Sequence, residues 1–212
     1  MAKKLIEVAQ ENNLRNCIVI STQGCEESDK PEKAKFKVIE DFAKSQLKDS
    51  NVCIIRSGNY MQNLFLYAKQ MKETGFLGLP TDKGKFASVD ALDVGHATAM
   101  LCEEPSKIVK FKNQTFTLTG GESMNGEQIV ELFKKCGLTV HFKNISTKEA
   151  VRYLKGLATV DESEINFLLE DFDLVKEGKM DYVTDDFKKL CDKEPRSLED
   201  FLKDGIDAFK SV

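Results

Sequence analysis

Cys17-Ile18-Val19-Ile20-Ser21-Thr22 is the stretch that decides the fold, together with Val52-Cys53-Ile54-Ile55-Arg56-Ser57-Gly58. Each is an apolar run without polar alternation, which is typical of a parallel strand that is covered on both faces. Between the two runs, residues 35–48 place their apolar side chains at helical spacing. Two parallel strands joined by a helix form a right-handed βαβ unit. The sequence therefore predicts that strands 17–22 and 52–56 are parallel neighbours.

The rest of the chain changes from an α/β pattern to a mostly helical one. Helices are expected over residues 3–13, 59–72 and 90–103, and short strands over 76–81, 86–89, 116–119 and 140–145. Helix-capping signals then follow at Asn125, Ser146, Asp161, Thr184 and Ser197. We therefore predict an α/β fold, in which residues 1–120 form a truncated Rossmann-like parallel sheet and residues 121–212 a C-terminal helix-rich lobe.

Composition narrows the class of protein. The chain has 212 residues, 41% of them hydrophobic and 31% charged, and a formal net charge of −4. An acidic chain is not expected to present a large nucleic-acid surface. Its apolar runs are far shorter than the roughly 18 residues of a membrane span, so no membrane segment is expected. The first residues, 1–8, are amphipathic and lack the apolar core of a signal peptide, which favours a cytoplasmic location.

Cysteine and histidine usage does not suggest a metal site. Six cysteines occur, none of them in a C-x-x-C pair, and only two histidines accompany them. Zinc is therefore not expected. Cys17 and Cys53 lie inside apolar strands, where we expect small core residues. Cys25 follows a strand in a polar loop and is predicted to be the best candidate for an exposed thiol.

A series of short strings resembles one family. They occur in the family's order at residues 20–24, 55–64, 86–95, 116–120, 183–187 and 195–201, and they read ISTQG, IRSGNYMQNL, FASVDALDVG, FTLTG, VTDDF and PRSLEDF. Together they resemble the NmrA-like group of atypical short-chain dehydrogenase/reductases. The resemblance covers essentially the whole chain but begins partway into the family fold. It implies that the first three strands, with the glycine motif that holds a pyrophosphate, have no counterpart here.

The resemblance implies a catalytic hydroxyl at Thr22 and a lysine anchor for the nicotinamide ribose at Lys35. Transfer of hydride to a carbonyl builds negative charge on oxygen, which calls for a hydrogen-bond donor at that place. The Tyr-x-x-x-Lys pair of short-chain dehydrogenases is incomplete, because Pro31 and Lys33 stand four residues before Lys35 and Lys37. A strand-end turn residue and an exposed helix lysine remain the structural alternatives for Thr22 and Lys35.

The resemblance also implies a cofactor, NADP or NAD, without a glycine-rich pyrophosphate site. The residues expected to contact the cofactor are Ser21, Lys35, Ser57 and Gly58. The residues expected to line a substrate or ligand crevice are Asn59, Tyr60 and Asn63. Except for Lys35, which lies on the following helix, these residues lie at or just after the carboxyl ends of the two strands, where ligands bind in open α/β sheets.

Three functions are compatible with these features. The first is that of an NmrA-like protein related to NAD(P)-dependent oxidoreductases, with weak or no dinucleotide binding of its own, acting if active on a small carbonyl or quinone. The second is a non-enzymatic regulatory or redox-sensing module on the same fold. The third is a degenerate product without activity. Because strand 17–22 is expected to be a bare sheet edge, residues 1–13 shield it or it pairs with a second copy or a partner protein.

Overall fold

The computed structural model describes residues 1–27 and 29–210. In chain order the elements are α1 (Ala2–Glu11), β1 (Asn16–Thr22), α2 (Pro31–Gln46), β2 (Asn51–Ser57), a 3-10 helix (Met61–Tyr67), α3 (Ala68–Thr74), β3 (Phe76–Leu79), α4 (Ala91–Glu103), α5 (Pro105–Lys110), β4 (Thr115–Leu118), α6 (Gly126–Lys135), β5 (His141–Asn144), α7 (Thr147–Lys155), α8 (Glu162–Lys176), α9 (Asp186–Cys191) and α10 (Leu198–Lys210). No helix in this part of the chain is both long enough and apolar enough to cross a membrane.

The principal sheet has three parallel strands in the order β1-β2-β4. β1 and β2 pair in parallel from Asn16 opposite Asn51 to Thr22 opposite Ser57. This confirms the predicted parallel neighbours and the α/β fold class. The four residues 52–55 in β2 have no exposed surface, because helices cover both faces of this central strand.

The βαβ connection is made by α2, which begins at Pro31, earlier than its apolar spacing predicts. Proline suits the first helical position, where its missing N–H group would have had no partner. α1 packs along α2, and Ile6 and Ala9 of α1 join Ala43, Leu47 and the strand residues beneath them in one apolar cluster.

The second sheet is small and belongs to the helical lobe. β3 and β5 pair in parallel, from Phe76 opposite His141 to Leu79 opposite Asn144. Asn125, Ser146 and Asp161 each form a complete capping box, and Ser197 caps α10 through its hydroxyl. The capping predictions are therefore confirmed at these four positions.

Three local expectations were wrong. Residues 59–72 are not one α-helix, because a 3-10 helix comes before α3. Phe86 and Val89 form isolated bridges to Met124 and Tyr60 rather than a strand, since the two bridges lead to different segments. Thr184 does not cap α9: its hydroxyl donates to the backbone oxygen of Thr117, and Asp185 is the cap residue.

Residues before and after position 120 pack together in the same hydrophobic clusters. Met61 and the apolar residues up to Phe86 pack with the helices of the later half, whereas Phe187 and Leu190 of α9 pack against the principal sheet. The division into 1–120 and 121–212 stays a prediction, and the two parts share their cores.

β1 is an edge strand in the described part of the chain, with β2 as its hydrogen-bonded neighbour. α1 covers one face of this region together with α2. On the other side, Ile20 is 42% exposed and Phe36 of α2 is 37% exposed. The edge and its apolar flank therefore face solvent beside the functional crevice described below.

Candidate functional site

A crevice of about 550 Å³ lies at the carboxyl ends of β1 and β2, between α2 and α8. Its wall includes all eight residues predicted from the sequence: Ser21, Thr22, Lys35, Ser57, Gly58, Asn59, Tyr60 and Asn63. The fold thus brings the predicted residues to one place, although their chemical roles stay predictions. A volume of this size lies within the roughly 300–1,000 Å³ of typical ligand pockets.

Thr22 is tied to a buried lysine that was not among the predicted site residues. The Lys33 ammonium donates to Thr22 Oγ1 at 3.1 Å and to the Gln23 backbone oxygen at 2.9 Å. It also forms an ion pair with Asp171 Oδ1 at 2.6 Å and lies 4.4 Å from the centre of the Phe167 ring. Both charged side chains are almost completely buried, at 0% and 4% exposure. Lys33 therefore links the end of β1 to α8 across the base of the crevice.

The Asp171 carboxyl of this ion pair is strongly affected by its burial. Burial raises the pKa of the Asp171 carboxyl, while the adjacent Lys33 ammonium and an amide hydrogen bond from Asn59 oppose that rise. A buried carboxylate needs such partners, because an isolated buried charge is strongly destabilising. Each of the two buried charges, on Lys33 and on Asp171, is therefore stabilised by the other.

Lys35, the predicted ribose anchor, has a different environment. Its side chain is 64% exposed and its ammonium pairs with Glu32 on the same helix. It lies at the rim of the crevice, where a solvent-exposed pair contributes little to stability. The lysine within contact of Thr22 is Lys33, not Lys35.

Ser21 belongs to a buried polar network beneath the crevice. Its hydroxyl donates to Glu40 Oε1 at 2.6 Å, and Arg56 donates to the two oxygens of the same carboxylate at 2.9 and 2.8 Å. Burial raises the pKa of Glu40, but the hydrogen bonds from Arg56, Ser21 and Cys25 outweigh this and hold it below its ordinary value. Glu40 is thus a carboxylate that fixes the ends of both strands.

Cys25 is part of this network, and the prediction of an exposed thiol was wrong. The side chain is 1% exposed, and its Sγ donates to Glu40 Oε1 at 3.2 Å. Burial, the hydrogen bond to Glu40 and the charge of Glu40 raise the pKa of the thiol to about 12. A thiol in this state is a poor nucleophile, because thiol reactivity depends on the thiolate.

The segment after β2 forms the inner wall of the crevice. A Cβ atom on Gly58 would lie 3.1 Å from Gln23 Oε1 and about as close to two backbone oxygens, so this glycine permits close packing within the chain. The Asn59 amide donates to Asp171 Oδ2 and the Asn63 amide to Asn59 Oδ1, each at 3.5 Å. Ser57 donates to the Ser21 backbone oxygen at 3.3 Å.

The N-terminus of α2 is already satisfied by a carboxylate from the lobe. The backbone N–H groups of Glu32 and Lys33 each donate to Glu170 at 2.9 Å. A helix N-terminus is the feature that binds phosphate in many nucleotide sites. Here that feature holds Glu170 of α8, so the turn between β1 and α2 does not offer it to a ligand.

The crevice suits a neutral planar ring better than a phosphate group. Phe36 and Phe167 form an aromatic wall, with ring centres 5.8 Å apart and planes tilted by 59°. The nearby lysines, Lys33 and Lys35, are both ion-paired within the chain. The residues present fit the nicotinamide end of a dinucleotide. Among the residues that the structure describes, no group of three or more His, Cys, Asp or Glu residues could hold a metal ion.

Helix phase was the signal that could have found the missed residues. Lys33, Glu40 and Ala43 lie on the buried side of α2, and buried Leu47 follows directly after the helix, whereas Lys35 lies outside this stripe. Such a stripe with buried apolar residues at its end places the charged residues of the same stripe inward as well. No local signal pointed to Phe167 and Asp171 of α8, because they reach the crevice only through the fold.

Comparison with known proteins agrees with the family resemblance found in the sequence. Residues 2–202 match the model of the NmrA-like family. The chain is 25% identical over 167 residues to the NAD(P)H azoreductase of Xenophilus azovorans; the match covers 77% of this chain and 57% of the azoreductase. The chain thus matches little more than half the length of this curated relative.

Solved structures share the fold at low identity. The triphenylmethane reductase of Citrobacter sp. superposes with a TM-score of 0.81 at 18% identity, covering 97% of this chain and 70% of that one. The NADPH-dependent quinone oxidoreductase of Escherichia coli, solved with NADPH, superposes with a TM-score of 0.80 at 18% identity and the same coverage. The chain therefore shares the fold of these two reductases. Because the family model matches residues 2–202, the chain belongs to the NmrA-like family.

Proposed function

We propose that the crevice receives the nicotinamide end of NAD(P)H together with a small carbonyl or quinone substrate. We further propose that the isolated chain binds the dinucleotide weakly. The observation that carries this proposal is the crevice itself, at the carboxyl ends of two parallel strands, with an aromatic wall and the predicted hydroxyl and amide groups around it. The kinship with an NAD(P)H azoreductase supports the choice of cofactor.

Thr22 is the hydroxyl that would meet a substrate oxygen. Lys33 donates to Thr22 Oγ1, and this polarises the hydroxyl and makes it a stronger donor. Its proton points to the Gln23 backbone oxygen at 3.3 Å and has to turn toward the crevice when a carbonyl oxygen arrives. When bound, the nicotinamide would supply the hydride. Asp171 keeps the Lys33 ammonium in place for this role.

Weak dinucleotide binding is expected because carboxylates of the chain itself already occupy the cationic and N–H groups near the crevice. Glu170 accepts the N–H groups at the start of α2, and Glu32 and Asp171 pair with the two lysines nearest the crevice. A pyrophosphate would have to compete with these carboxylates. The proposed half-site thus holds the ring and leaves the phosphates in solvent.

Isothermal titration calorimetry with NADPH tests the binding proposal. We expect a dissociation constant weaker than about 1 μM, which corresponds to less than about 8 kcal/mol of binding free energy. Tighter binding would refute the half-site. Oxidation of NADPH with a small quinone, followed by absorbance, tests the chemistry in the variants Thr22→Val and Lys35→Met. Loss of turnover in Thr22→Val alone supports the polarised hydroxyl, whereas loss in Lys35→Met alone would assign the role to the rim lysine.

A second candidate function, that of an interaction module, rests on the edge of β1. The strand carries no charged residue, and its residue Ile20 is 42% exposed. An uncharged apolar edge is a template for pairing with another strand. We propose a second copy of this chain as its partner. Redox sensing at Cys25 is the less favoured version, because the thiol is buried and its pKa is raised.

A further inference from the structure

Next to the crevice lies a small chamber with a volume of about 20 Å³. Asn59 and Asn63 line both the crevice and the chamber, so the two carboxamides form the partition between them. The other walls are mostly apolar and consist of Leu64, Tyr67, Leu79, Phe86, Ser88, Leu168 and Phe172. The two carboxamides therefore give the chamber a polar side, while most of its other walls are apolar.

Tyr67 is the residue in this wall that calls for an explanation. It is 3% exposed, and its hydroxyl forms no hydrogen bond with any described group. The neighbouring Tyr153 stacks on it with ring centres 5.9 Å apart, but the Tyr153 hydroxyl donates to the Leu66 backbone oxygen at 2.8 Å. Buried hydroxyls in folded proteins almost always have a partner, either protein or ordered water. Burial also raises the pKa of Tyr67, so that its hydroxyl keeps its proton and can donate.

We propose that the chamber binds one water molecule, which accepts a hydrogen bond from the Tyr67 hydroxyl and donates to the carboxamides of Asn59 and Asn63. The size of the chamber agrees with a single occupant: a water needs about 10–15 Å³ of such space and two or more polar partners. The wall has four polar side chains, Asn59, Asn63, Tyr67 and Ser88, and none of its residues is charged, so it offers no counter-charge to an ion.

This water gives Tyr67 a positioning role at the crevice. The hydrogen bonds from Asn63 to Asn59 and from Asn59 to Asp171 are both 3.5 Å long, at the outer limit for such bonds. The two amides therefore hold each other weakly. A bridging water behind them fixes which face of each carboxamide points into the crevice. This last consequence rests on the proposed function, whereas the water site itself does not.

The sign of a stability change tests the water site. Tyr67→Phe keeps the ring and removes only the hydroxyl, and Tyr153→Phe is the matched control that loses a visible hydrogen bond. If a water bridges Tyr67, both variants lower the melting temperature by a similar amount, about 2–4 °C for one hydrogen bond in a domain of this size. If the hydroxyl has no partner, Tyr67→Phe raises the melting temperature and the proposal is wrong.

Two further measurements complete the test. Water–protein nuclear Overhauser spectra of the whole chain are expected to show a long-lived water next to the Tyr67 ring, and the cross-peak is expected to disappear in Tyr67→Phe but to persist in Tyr153→Phe. The dissociation constant of 1,4-naphthoquinone, used as the crevice probe, is expected to rise several-fold in Tyr67→Phe only. If the probe does not bind to the wild type, the proposed function fails, while the melting temperatures and the water signal still decide the chamber.

Discussion

Replacement of Lys33 by methionine would break the ion pair that joins the sheet to the lobe. Lys33 and Asp171 are 2.6 Å apart at 0% and 4% exposure, so the variant leaves a buried carboxylate whose remaining described partner is the distant Asn59 amide. Removal of one member of a buried pair typically destabilises a fold by about 3–5 kcal/mol. With about 2–4 °C per kcal/mol for a domain of this size, we expect the melting temperature to fall by about 6–20 °C.

The chain provides its own control for this experiment. Lys35→Met removes a lysine two positions away on the same helix, but that side chain is 64% exposed. We expect Lys35→Met to change the free energy of unfolding by no more than about 0.5 kcal/mol. The double variant Lys33→Met/Asp171→Leu removes both charges and is expected to recover most of the loss, because an apolar pair of similar size often replaces a buried ion pair without loss of stability.

Urea unfolding, followed by far-ultraviolet circular dichroism, measures the free energy of unfolding of the wild type, of Lys33→Met, of Lys35→Met and of the double variant. The midpoint is compared at constant slope, since a change in slope would indicate a change in the denatured or native state. Equal stability of Lys33→Met and Lys35→Met would refute the assignment of Lys33 as the buried lysine of the site. A double variant less stable than Lys33→Met would refute the coupling between Lys33 and Asp171.

Three other predictions concern the residues around the crevice. Because Glu40 has a lowered pKa in the fold against an ordinary value of 4.5, its stabilisation is complete above that pH and is lost as the pH falls through the folded value. Glu40→Gln, which weakens the contact with Arg56, is therefore expected to be less stable than the wild type in urea melts at pH 7, with a gap that closes below pH 4.5. Iodoacetamide at pH 8 is expected to modify the exposed Cys102 and to spare the buried Cys25, as peptide mass spectrometry will show; equal labelling would contradict the buried network. Ile20→Lys is expected to convert a dimer to a monomer in sedimentation velocity while Ile20→Val does not, and a wild type that is monomeric at all concentrations would contradict pairing at the β1 edge.

Much of the fold could be predicted because its signals are local. β2 is buried on both faces and therefore reads as a continuous apolar run, and three capping boxes are visible as an Asx or serine residue followed three positions later by glutamate or glutamine. The candidate site was predictable for a related reason. The family resemblance named the eight residues, and seven of them lie at or just after the ends of two parallel strands, which meet at one end of a sheet; Lys35 reaches the crevice from α2.

The errors arose where contacts between distant segments decide the outcome. Lys33 is buried because α8 covers it, and its backbone contact with Glu170 spans 137 positions in the chain. Cys25 lies in a loop rich in polar residues, yet the loop folds back onto Glu40 and becomes buried. The backbone at Phe86 and Val89 is extended, but its partners come from two different segments, so a β pattern in sequence produced no strand.

Two consecutive acidic residues of α8 make different contacts with α2. Glu170 accepts the backbone N–H groups of Glu32 and Lys33 in the first turn of that helix, while Asp171 binds the side chain of the same Lys33. Successive helical positions differ by about 100° in direction, so both contacts depend on the rotational setting of α8. One residue inserted between Glu162 and Glu170 would turn both carboxylates away from α2 at once. An insertion of the same size in the loop over residues 157–160 would leave the helix setting intact, so the length of α8 up to Glu170 is constrained in a way that its composition does not reveal.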